Sequence, residues 1–384
     1  MNICFISSYS STNQGGATLS MFDVANELAK RGNKIIIVLN SRRNLEKIYK
    51  EKNVRCIIAP SFNMRINLKE IEKMTNIKFC VKYYWNFIYT YKLYQRLKKE
   101  KIDIIHINGL NNRIGADIAK KLHIPYVWHI RQLLEEDLSQ TIFKKKKLWK
   151  QVEQADTVIA ISKVVQKKFE QELKRKINIV YNGVPISKYL IPKHEIFKEE
   201  TVNLLIAGRI DTGKGQLDAV KAINILKEKG IHLYMKIVGG VEDKEYMEKI
   251  VKYIDENNLQ KEISIYNHVE DLNQIRNKSD IGLTCSKNEA FGRVTIENQL
   301  AGMLVIGANT GGTKEIIDDN HTGLLYEEGN AVDLSKKLEF ALANSEVMKN
   351  IAKRGQEKAI ETYSITRVVN QVEEIYVACL GEGV

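Results

Sequence analysis

The chain has 384 residues, of which 44% are hydrophobic and 28% charged. At roughly 150 residues per domain this is enough for two to three domains, each with its own core. The composition excludes a disordered chain, a fibre and a coiled coil, and no apolar run approaches the ~18 residues that a membrane helix needs. The first six residues lack the basic start and the cleavage site of a signal peptide. Cys4, Cys56, Cys80, Cys285 and Cys379 are scattered, without CxxC spacing. That argues against a disulfide framework or a zinc site and fits a reducing cytoplasm.

Charge is unevenly placed. The whole chain carries +12, but residues 1–182 carry +18 and residues 183–384 carry −6. A basic half favours an anionic partner: nucleic acid, a phospholipid surface or a phosphate-bearing substrate. A lysine-rich genome is the plain alternative, but it does not explain why the halves differ.

In chain order, short apolar runs at residues 2–6, 34–39, 102–106, 125–130, 157–161 and 177–181 read as strands. An amphipathic stretch at 17–31 follows the first of them. After Thr201 the runs recur at 202–207, 233–238, 263–266, 281–284 and 304–306, with helical stretches at 215–230, 294–302 and 332–343. Such alternation predicts parallel sheets covered by helices, and two sets predict two doubly wound α/β domains. The first domain is expected over residues 1–182. The boundary falls at Asn182-Gly183-Val184-Pro185, where a strand ends and a polar linker with Pro185 and Pro192 runs to Thr201. The second domain is expected over 183–363. Residues 364–384 read as a final helix, with Ser364 as its N-cap, packing back toward the N-terminal domain.

Ligands of such sheets sit at the carboxyl ends of strands, so loops after strands carry the chemistry. Four stand out. The first, Glu289-Ala-Phe-Gly-Arg-Val-Thr-Ile-Glu297, follows the 281–284 run. Gly292 admits a ligand close to the backbone, and the helix start offers N–H groups to a phosphate. If wholly helical, the two carboxylates lie roughly 12 Å apart, each able to hold a diol. An ordinary helix with surface glutamates is the alternative. The second, Gly208-Arg209-Ile-Asp-Thr-Gly-Lys214-Gly215, puts a planar fork and a point charge in a glycine-rich turn, a pair suited to a diphosphate. It is not a Walker A sequence, and a solvated turn is the alternative. The third, Asn13-Gln14-Gly15-Gly16, opens a helix after the first strand and is either an anion site or a simple tight turn. The fourth is His129 in Trp128-His129-Ile-Arg131, at a strand end, either a donor to a hydroxyl or a structural histidine. No HExxH and no DxD after a strand points to a metal.

These four elements, in this order, resemble glycosyltransferase family 4, the retaining GT-B enzymes also called group 1. The signature is a Glu-x7-Glu segment, here Glu289 and Glu297 around Phe291-Gly292, with an upstream Arg209 and Lys214. Thr310-Gly-Gly-Thr-Lys-Glu315 and Thr322-Gly-Leu-Leu325 match the family's closing segments. The resemblance covers nearly the whole chain, most specifically residues 203–330. Pro185 stands where the family often has Asp, and Ala290 where Pro or Gly is frequent.

The resemblance implies a GT-B architecture, two facing Rossmann-like domains with an inter-domain cleft. It implies a retaining, metal-independent hexosyltransferase that takes a nucleotide-sugar, UDP-linked, as substrate, with no cofactor. Glu289 would hold hydroxyls of the donor sugar, and Glu297 the ribose diol. Arg209 and Lys214 would bind the diphosphate and stabilise the leaving nucleotide. Backbone N–H groups of Phe291, Gly292 and Arg293 would contact sugar or phosphate. Gly15 and Gly16 would approach the donor from the N-terminal domain, and His129 would touch the donor sugar near its C6 end. Catalysis would thus rest on Glu289, His129, Arg209 and Lys214.

The basic N-terminal half is the acceptor side of this architecture. Eight aromatic residues crowd residues 79–94, flanked by Lys82, Lys92, Arg96, Lys98 and Lys99. Aromatics beside basic residues suit a membrane interface, and Lys144 to Lys147 add to the charge. The expected partners are a nucleotide-sugar and a saccharide on a polyprenyl diphosphate, with peripheral contact to the inner face of the cell membrane. A helix packing its aromatics into the core is the equal alternative. Nucleic acid is not expected, because neither zinc-finger spacing nor an RNP-like motif is present. The expected role is cell-surface polysaccharide synthesis. The rival readings are a non-catalytic GT-B subunit supporting a partner transferase and a nucleotide-sugar epimerase.

Overall fold

The computed structural model describes residues 1–7, 16–40, 53–68, 76–111, 113–136, 139–192, 194–267, 269 and 271–381. The chain divides into two compact units. Unit 1 comprises residues 1–184 and the C-terminal helix Ile365–Gly381; unit 2 comprises Pro185–Ser364.

Unit 1 is built on β1 (Asn2–Ser7), β2 (Lys34–Leu39), β3 (Val54–Ile58), β4 (Arg65–Asn67), β5 (Ile104–Asn108), β6 (Tyr126–Ile130), β7 (Gln140–Ile142), β8 (Thr157–Ala160) and β9 (Asn178–Ile179). Seven of them form a parallel sheet in the order β3-β2-β1-β5-β6-β8-β9. The order reverses between β1 and β5, the switch point at which doubly wound sheets take ligands. Strands β4 and β7 pair antiparallel, apart from this sheet. The central strands are apolar because both faces are covered: Ile3 and Phe5 of β1 and Ile104 of β5 are fully buried. They pack with Met21, Phe22 and Leu28 of the helix Gly16–Lys30 and with Val369, Val372 and Tyr376 of the C-terminal helix.

That helix is also pinned by charge, Arg31 Nη1 lying 2.6 Å from Glu373 Oε2. The chain leaves and re-enters unit 1 side by side. Ile365 N–H donates to Val184 O at 3.0 Å, and a Cβ on Gly183 would lie 2.9 Å from Ile365 Cα. Glycine at 183 is what lets the two segments touch. Ser364 is the extended residue between the helices Ser345–Tyr363 and Ile365–Gly381.

Unit 2 contains β10 (Asn203–Ala207), β11 (Tyr234–Val238), β12 (Ile263–Tyr266), β13 (Ile281–Thr284), β14 (Leu304–Ala308) and β15 (Leu324–Tyr326). They form a parallel sheet in the order β12-β11-β10-β13-β14-β15. Its switch point lies between β10 and β13. Both faces of this sheet are covered too, by a core running from Leu204 and Met235 to Leu334 and Ile351.

Both sheets are thus parallel α/β, as the alternation of apolar runs indicates, but details differ. β5 is shifted two residues from the 102–106 run and ends at Asn108, not His106; just before it, the Asp103 carboxylate accepts from Asn2 N–H at 2.7 Å. β3 and β15 are additional strands. The 177–181 run contributes only Asn178 and Ile179 to its sheet.

Candidate functional site

The strongest cluster stands on the loops after β10 and β13, the two strands that flank the switch point of unit 2. After β10, Gly208 turns with φ +147° and Arg209 follows. Gly239, after β11, lies so near that a Cβ there would be 1.7 Å from Gly208 O. Asp211 then caps a short 3₁₀ turn, Thr212–Lys214, its Oδ1 accepting from Gly213 N–H at 2.9 Å. Gly215 closes the turn with φ +67°, where a Cβ would be 2.2 Å from Cys285 O. The loop after β13 is tied on from the other side, Lys287 N–H donating to Gly213 O at 2.9 Å.

This clamp sets Lys214 Nζ 2.7 Å from Glu289 Oε2, with both side chains about one-fifth exposed. A charge-assisted hydrogen bond of that kind contributes about 1.5–3 kcal/mol. Burial pushes the Glu289 carboxyl up, but the Lys214 charge, hydrogen bonds from Lys214 and Ser286, and the Arg209 charge outweigh it. The group is held below the usual carboxylate range and stays ionised. Arg209 is itself paired, Nη1 to Glu242 Oε2 at 2.6 Å and Nη2 to Asp211 Oδ2 at 3.7 Å. Sequence reasoning missed Glu242, which sits after β11 and has no fixed spacing from Arg209.

The Glu289 to Glu297 segment is only half helical, which corrects the spacing expected of a continuous helix. Glu289 lies in the loop, and the helix runs Arg293–Leu300. Gly292 is its N-cap, with φ +106°, and being glycine it makes no side-chain cap bond. Phe291 is buried edge-on against Tyr363, ring centroids 5.9 Å apart. The Thr310 to Thr313 loop lies flat on this segment. Gly312 N–H donates to Glu289 O at 2.7 Å. A Cβ on Gly311 would be 2.4 Å from Glu289 O, and one on Gly312 2.2 Å from Phe291 O. Gly312→Ala is therefore expected to push the Glu289 loop off Lys214, lowering thermal stability by about 1–3 kcal/mol and impairing nucleotide-sugar cleavage. A melting curve and a rate measurement on the same preparation check it.

Glu297 is not a surface glutamate. The helix that carries it is buried nearly throughout. Its Oε2 accepts from Arg276 Nη2 at 2.5 Å and its Oε1 from Arg293 Nε at 2.9 Å. Burial raises the carboxyl, and the two guanidinium charges with their hydrogen bonds lower it further than burial lifts it. Both guanidinium groups also lie over the Tyr189 ring, 5.4 and 5.8 Å from its centroid. Arg276 and Tyr189 were not legible as site residues.

In unit 1, Gly16 opens the helix Gly16–Lys30 and is exposed. Gly15, with Asn13 and Gln14, lies outside the described residues. His129 is buried within β6, its Nδ1 3.2 Å from His106 Nε2. The structure thus gathers Arg209, Lys214, Glu289, Gly292, Arg293 and Glu297 on unit 2. Gly16 and His129 stand on unit 1.

The profile of the family described as Glycosyl transferases group 1 matches residues 188–358, and that described as Glycosyltransferase Family 4 matches residues 14–188. The chain belongs to the group 1, family 4 glycosyltransferases. Relatives of this glycosyltransferase are distant but span its length. An uncharacterized glycosyltransferase of Methanocaldococcus jannaschii is 25% identical over 319 residues, 81% of this chain and 83% of that one. An α-1,4-N-acetyl-D-galactosaminyltransferase of Campylobacter jejuni, named for a PP-undecaprenol-linked substrate, is 23% identical over 93% of both chains. A UDP-Gal:α-D-GlcNAc-diphosphoundecaprenol α-1,3-galactosyltransferase of Escherichia coli is 23% identical over 86% of this chain and 85% of that one. Among solved structures, Anabaena HepE in complex with UDP-glucose superposes with a TM-score of 0.79 at 19% identity, covering 98% of this chain and 100% of that one. The fold is GT-B.

Proposed function

We propose that this glycosyltransferase moves a hexosyl group from a UDP-sugar to a saccharide carried on a polyprenyl diphosphate. The transfer would retain anomeric configuration, need no metal ion and serve the synthesis of a bacterial cell-surface glycan. The observation that carries the reading is the Lys214–Glu289 pair, with Arg209 beside it, at the switch point of the unit 2 sheet. When UDP departs, negative charge grows on its β-phosphate, and preorganised cations stabilise it. Lys214 supplies one. Arg209 supplies another, since its fork has five donors and the surface pair with Glu242 is cheap to share or leave. Glu289, ionised, accepts hydrogen bonds from sugar hydroxyls while it holds Lys214 in place. Glu297 already accepts one bond on each oxygen, and each oxygen keeps a further lone pair for the ribose diol. The backbone of Phe291, Gly292 and Arg293 completes the donor contacts on unit 2.

In the step proposed, the bond from the sugar C1 to the UDP oxygen breaks. The acceptor oxygen bonds to C1 on the same face, and its proton passes to the departing phosphate. The names of the Escherichia coli and Campylobacter jejuni relatives support both the diphosphate-lipid acceptor and, for the former, the UDP donor. The test is transfer from UDP-sugars to a synthetic undecaprenyl-diphosphate saccharide, with the new linkage read by NMR. An α-linked product from an α-linked donor is expected. A β-linked product, or transfer only from non-UDP donors, contradicts the proposal.

A basic, aromatic helix supports contact with the lipid that carries this acceptor. In Asn76–Leu97, Phe79, Leu93 and Leu97 are buried, so part of the crowding is core. The opposite face exposes Ile77, Val81, Tyr84, Trp85, Phe87 and Tyr91, with Tyr84 and Phe87 about two-thirds exposed. At 100° per residue these span an arc of about 160°, which Lys92 shares, and Lys98 and Lys99 follow the helix end. Beside its edge, Lys144 and Lys147 lie 4.3 and 5.3 Å from the Tyr83 ring centroid. Near an anionic surface each such charge contributes about 1 kcal/mol. Among the described residues no helix is long and apolar enough to cross a membrane. Trp85→Glu with Phe87→Glu is expected to abolish sedimentation with phosphatidylglycerol vesicles at low salt. Unchanged sedimentation would remove this contact from the account.

A further inference from the structure

Unit 1 gathers three cations on one phenol. Tyr83 stands half-buried on the helix Asn76–Leu97. Its Oη accepts from Lys147 Nζ at 2.6 Å and from Arg113 Nη2 at 3.4 Å. Those two charges are therefore no more than about 6 Å apart, where like charges repel. Lys144 Nζ lies over the ring, 4.3 Å from its centroid, and the Arg113 guanidinium carbon lies 5.2 Å from it. Burial lifts the Tyr83 phenol, but the Lys147 hydrogen bond and the Arg113 charge lower it further.

Local structure does little to neutralise these charges. Arg113 is the first residue of the helix Arg113–Leu122, and Lys144 is the N-cap of the helix Lys145–Glu153. A helix start is the positive end of the dipole and disfavours cations, and neither first turn holds an acidic residue. Lys145 is paired with Glu135 and Glu172. Among the described residues, Arg113, Lys144 and Lys147 pair with no carboxylate. Asp117, one turn along from Arg113, acts on Arg113 and Lys147 through its charge, which Lys120 also shares. Its Oδ1 accepts from Gln151 Nε2 at 2.6 Å, and Gln151 Oε1 accepts from Arg113 Nε at 2.9 Å. Three cations against one carboxylate leave a surplus of positive charge that an anion of two charges would balance.

Lys144 and Lys147 are exposed, so the surplus is open to a ligand. Each ammonium has three N–H donors, and Tyr83 takes only one from Lys147. The cluster also borders the aromatic face of its helix. Tyr83 lies about 40° around the helix from Phe87, at 100° per residue. An anion that reaches both the lysines and this face is one carried by a lipid.

We propose that Lys144 and Lys147, positioned by Tyr83 and Arg113, form a binding site on unit 1 for the phosphate groups of a membrane lipid. The inference rests on the reading of a lipid-linked acceptor and gives its anionic group a place. The diphosphate of that acceptor and the headgroup of a phospholipid share the chemistry; the diphosphate matches the charge better.

Flotation with phosphatidylcholine vesicles tests the site. One set carries an undecaprenyl-diphosphate saccharide, the other phosphatidylglycerol at equal surface charge. Lys144→Gln with Lys147→Gln is compared with Lys98→Gln with Lys99→Gln, which removes the same charge just past the end of the aromatic helix. All four lysines are exposed, so both variants should fold. The first is expected to bind the diphosphate vesicles about 10- to 30-fold more weakly than wild type, and the second to lose less. A loss confined to the diphosphate vesicles names the acceptor's diphosphate as the ligand; an equal loss on both names the phospholipid headgroup. Tyr83→Phe keeps the ring under Lys144 but removes the oxygen that holds Lys147. It is expected to weaken binding about 3- to 10-fold, the worth of one hydrogen bond. A loss on neither vesicle greater than that of the Lys98 and Lys99 variant, or wild-type binding by Tyr83→Phe, would overturn the proposal. Failure of the underlying reading looks different: the lipid would bind through these lysines, yet wild-type protein would transfer no sugar to it.

Discussion

Glu289→Gln is expected to lower kcat by about 100-fold or more while the protein stays folded. Glutamine keeps the shape of the side chain and can still accept from Lys214, so packing survives. What it loses is the charge. Lys214 is no longer aligned by an ion pair, and the sugar hydroxyls meet a neutral amide. Removing one preorganised polar group from a site of developing charge costs roughly 10²–10³ in turnover. The pair is partly solvated, so its loss should lower stability by no more than about 1–3 kcal/mol. Donor kcat and KM, with a melting curve, separate the two effects. A scaffold subunit would tolerate the change; a transferase would not.

Glu297→Ala is expected to act first on stability, by about 3–5 kcal/mol, the usual cost of stranding a buried charge. Two guanidinium groups depend on this carboxylate, and the Arg276 side chain is only 2% exposed. Glu297→Gln should cost less, because it leaves no cavity and the amide oxygen keeps one of the two hydrogen bonds, while the NH2 group faces the other guanidinium. The pH dependence has a definite sign. The folded carboxyl is depressed below its ordinary value of 4.5, so the unfolded chain binds the proton more readily. Its contribution is complete above about pH 4.5 and is lost as pH falls through the lower folded value. Denaturant titrations between pH 3 and 7 should show that loss in wild type and a smaller one in Glu297→Gln. Equal acid sensitivity would contradict the burial and pairing seen here.

The cluster around Glu297 also shows where sequence reading stops. Glu289, Glu297, Arg209 and Lys214 were legible because each stands at a fixed spacing after a strand. Arg276 lies 21 positions before its partner on a four-residue helix. Tyr189 lies 104 positions before Arg293. No periodicity links such pairs; only the sheet order β10-β13 and the packing of the Arg293–Leu300 helix bring them together. Glu242 escaped notice for the same reason. The two glycines at 311 and 312 were visible as a motif, but their purpose, passage beside the Glu289 and Phe291 backbone, needed coordinates.

The fold was more readable than its edges. Central strands such as β1 and β10 are buried on both faces, so their apolar runs are continuous. The edge strand β3 alternates exposed Arg55 with buried Ile57, and β15 has only three residues; neither gives a run long enough to stand out. The aromatic stretch at 79–94 was ambiguous because both readings are partly right. Phe79 is core, while Tyr84 and Phe87 face solvent. His129, read at a strand end as either a hydroxyl donor or a structural histidine, is buried on β6, since strand alternation does not say which neighbours close over a side chain.

The most direct test of the glycosyltransferase assignment is slow hydrolysis of UDP-, GDP- and ADP-sugars by wild-type protein and by Glu289→Gln, with released nucleotide quantified. Glu289 is the better probe than Glu297, because its replacement leaves no stranded buried arginines. Cleavage of a UDP-sugar by the wild type, reduced about 100-fold or more in Glu289→Gln, is the expected result. Equal cleavage by the two proteins would remove Glu289 from the site. Absence of both cleavage and nucleotide binding across the panel would contradict the assignment of unit 2 as the donor-binding half of a working enzyme.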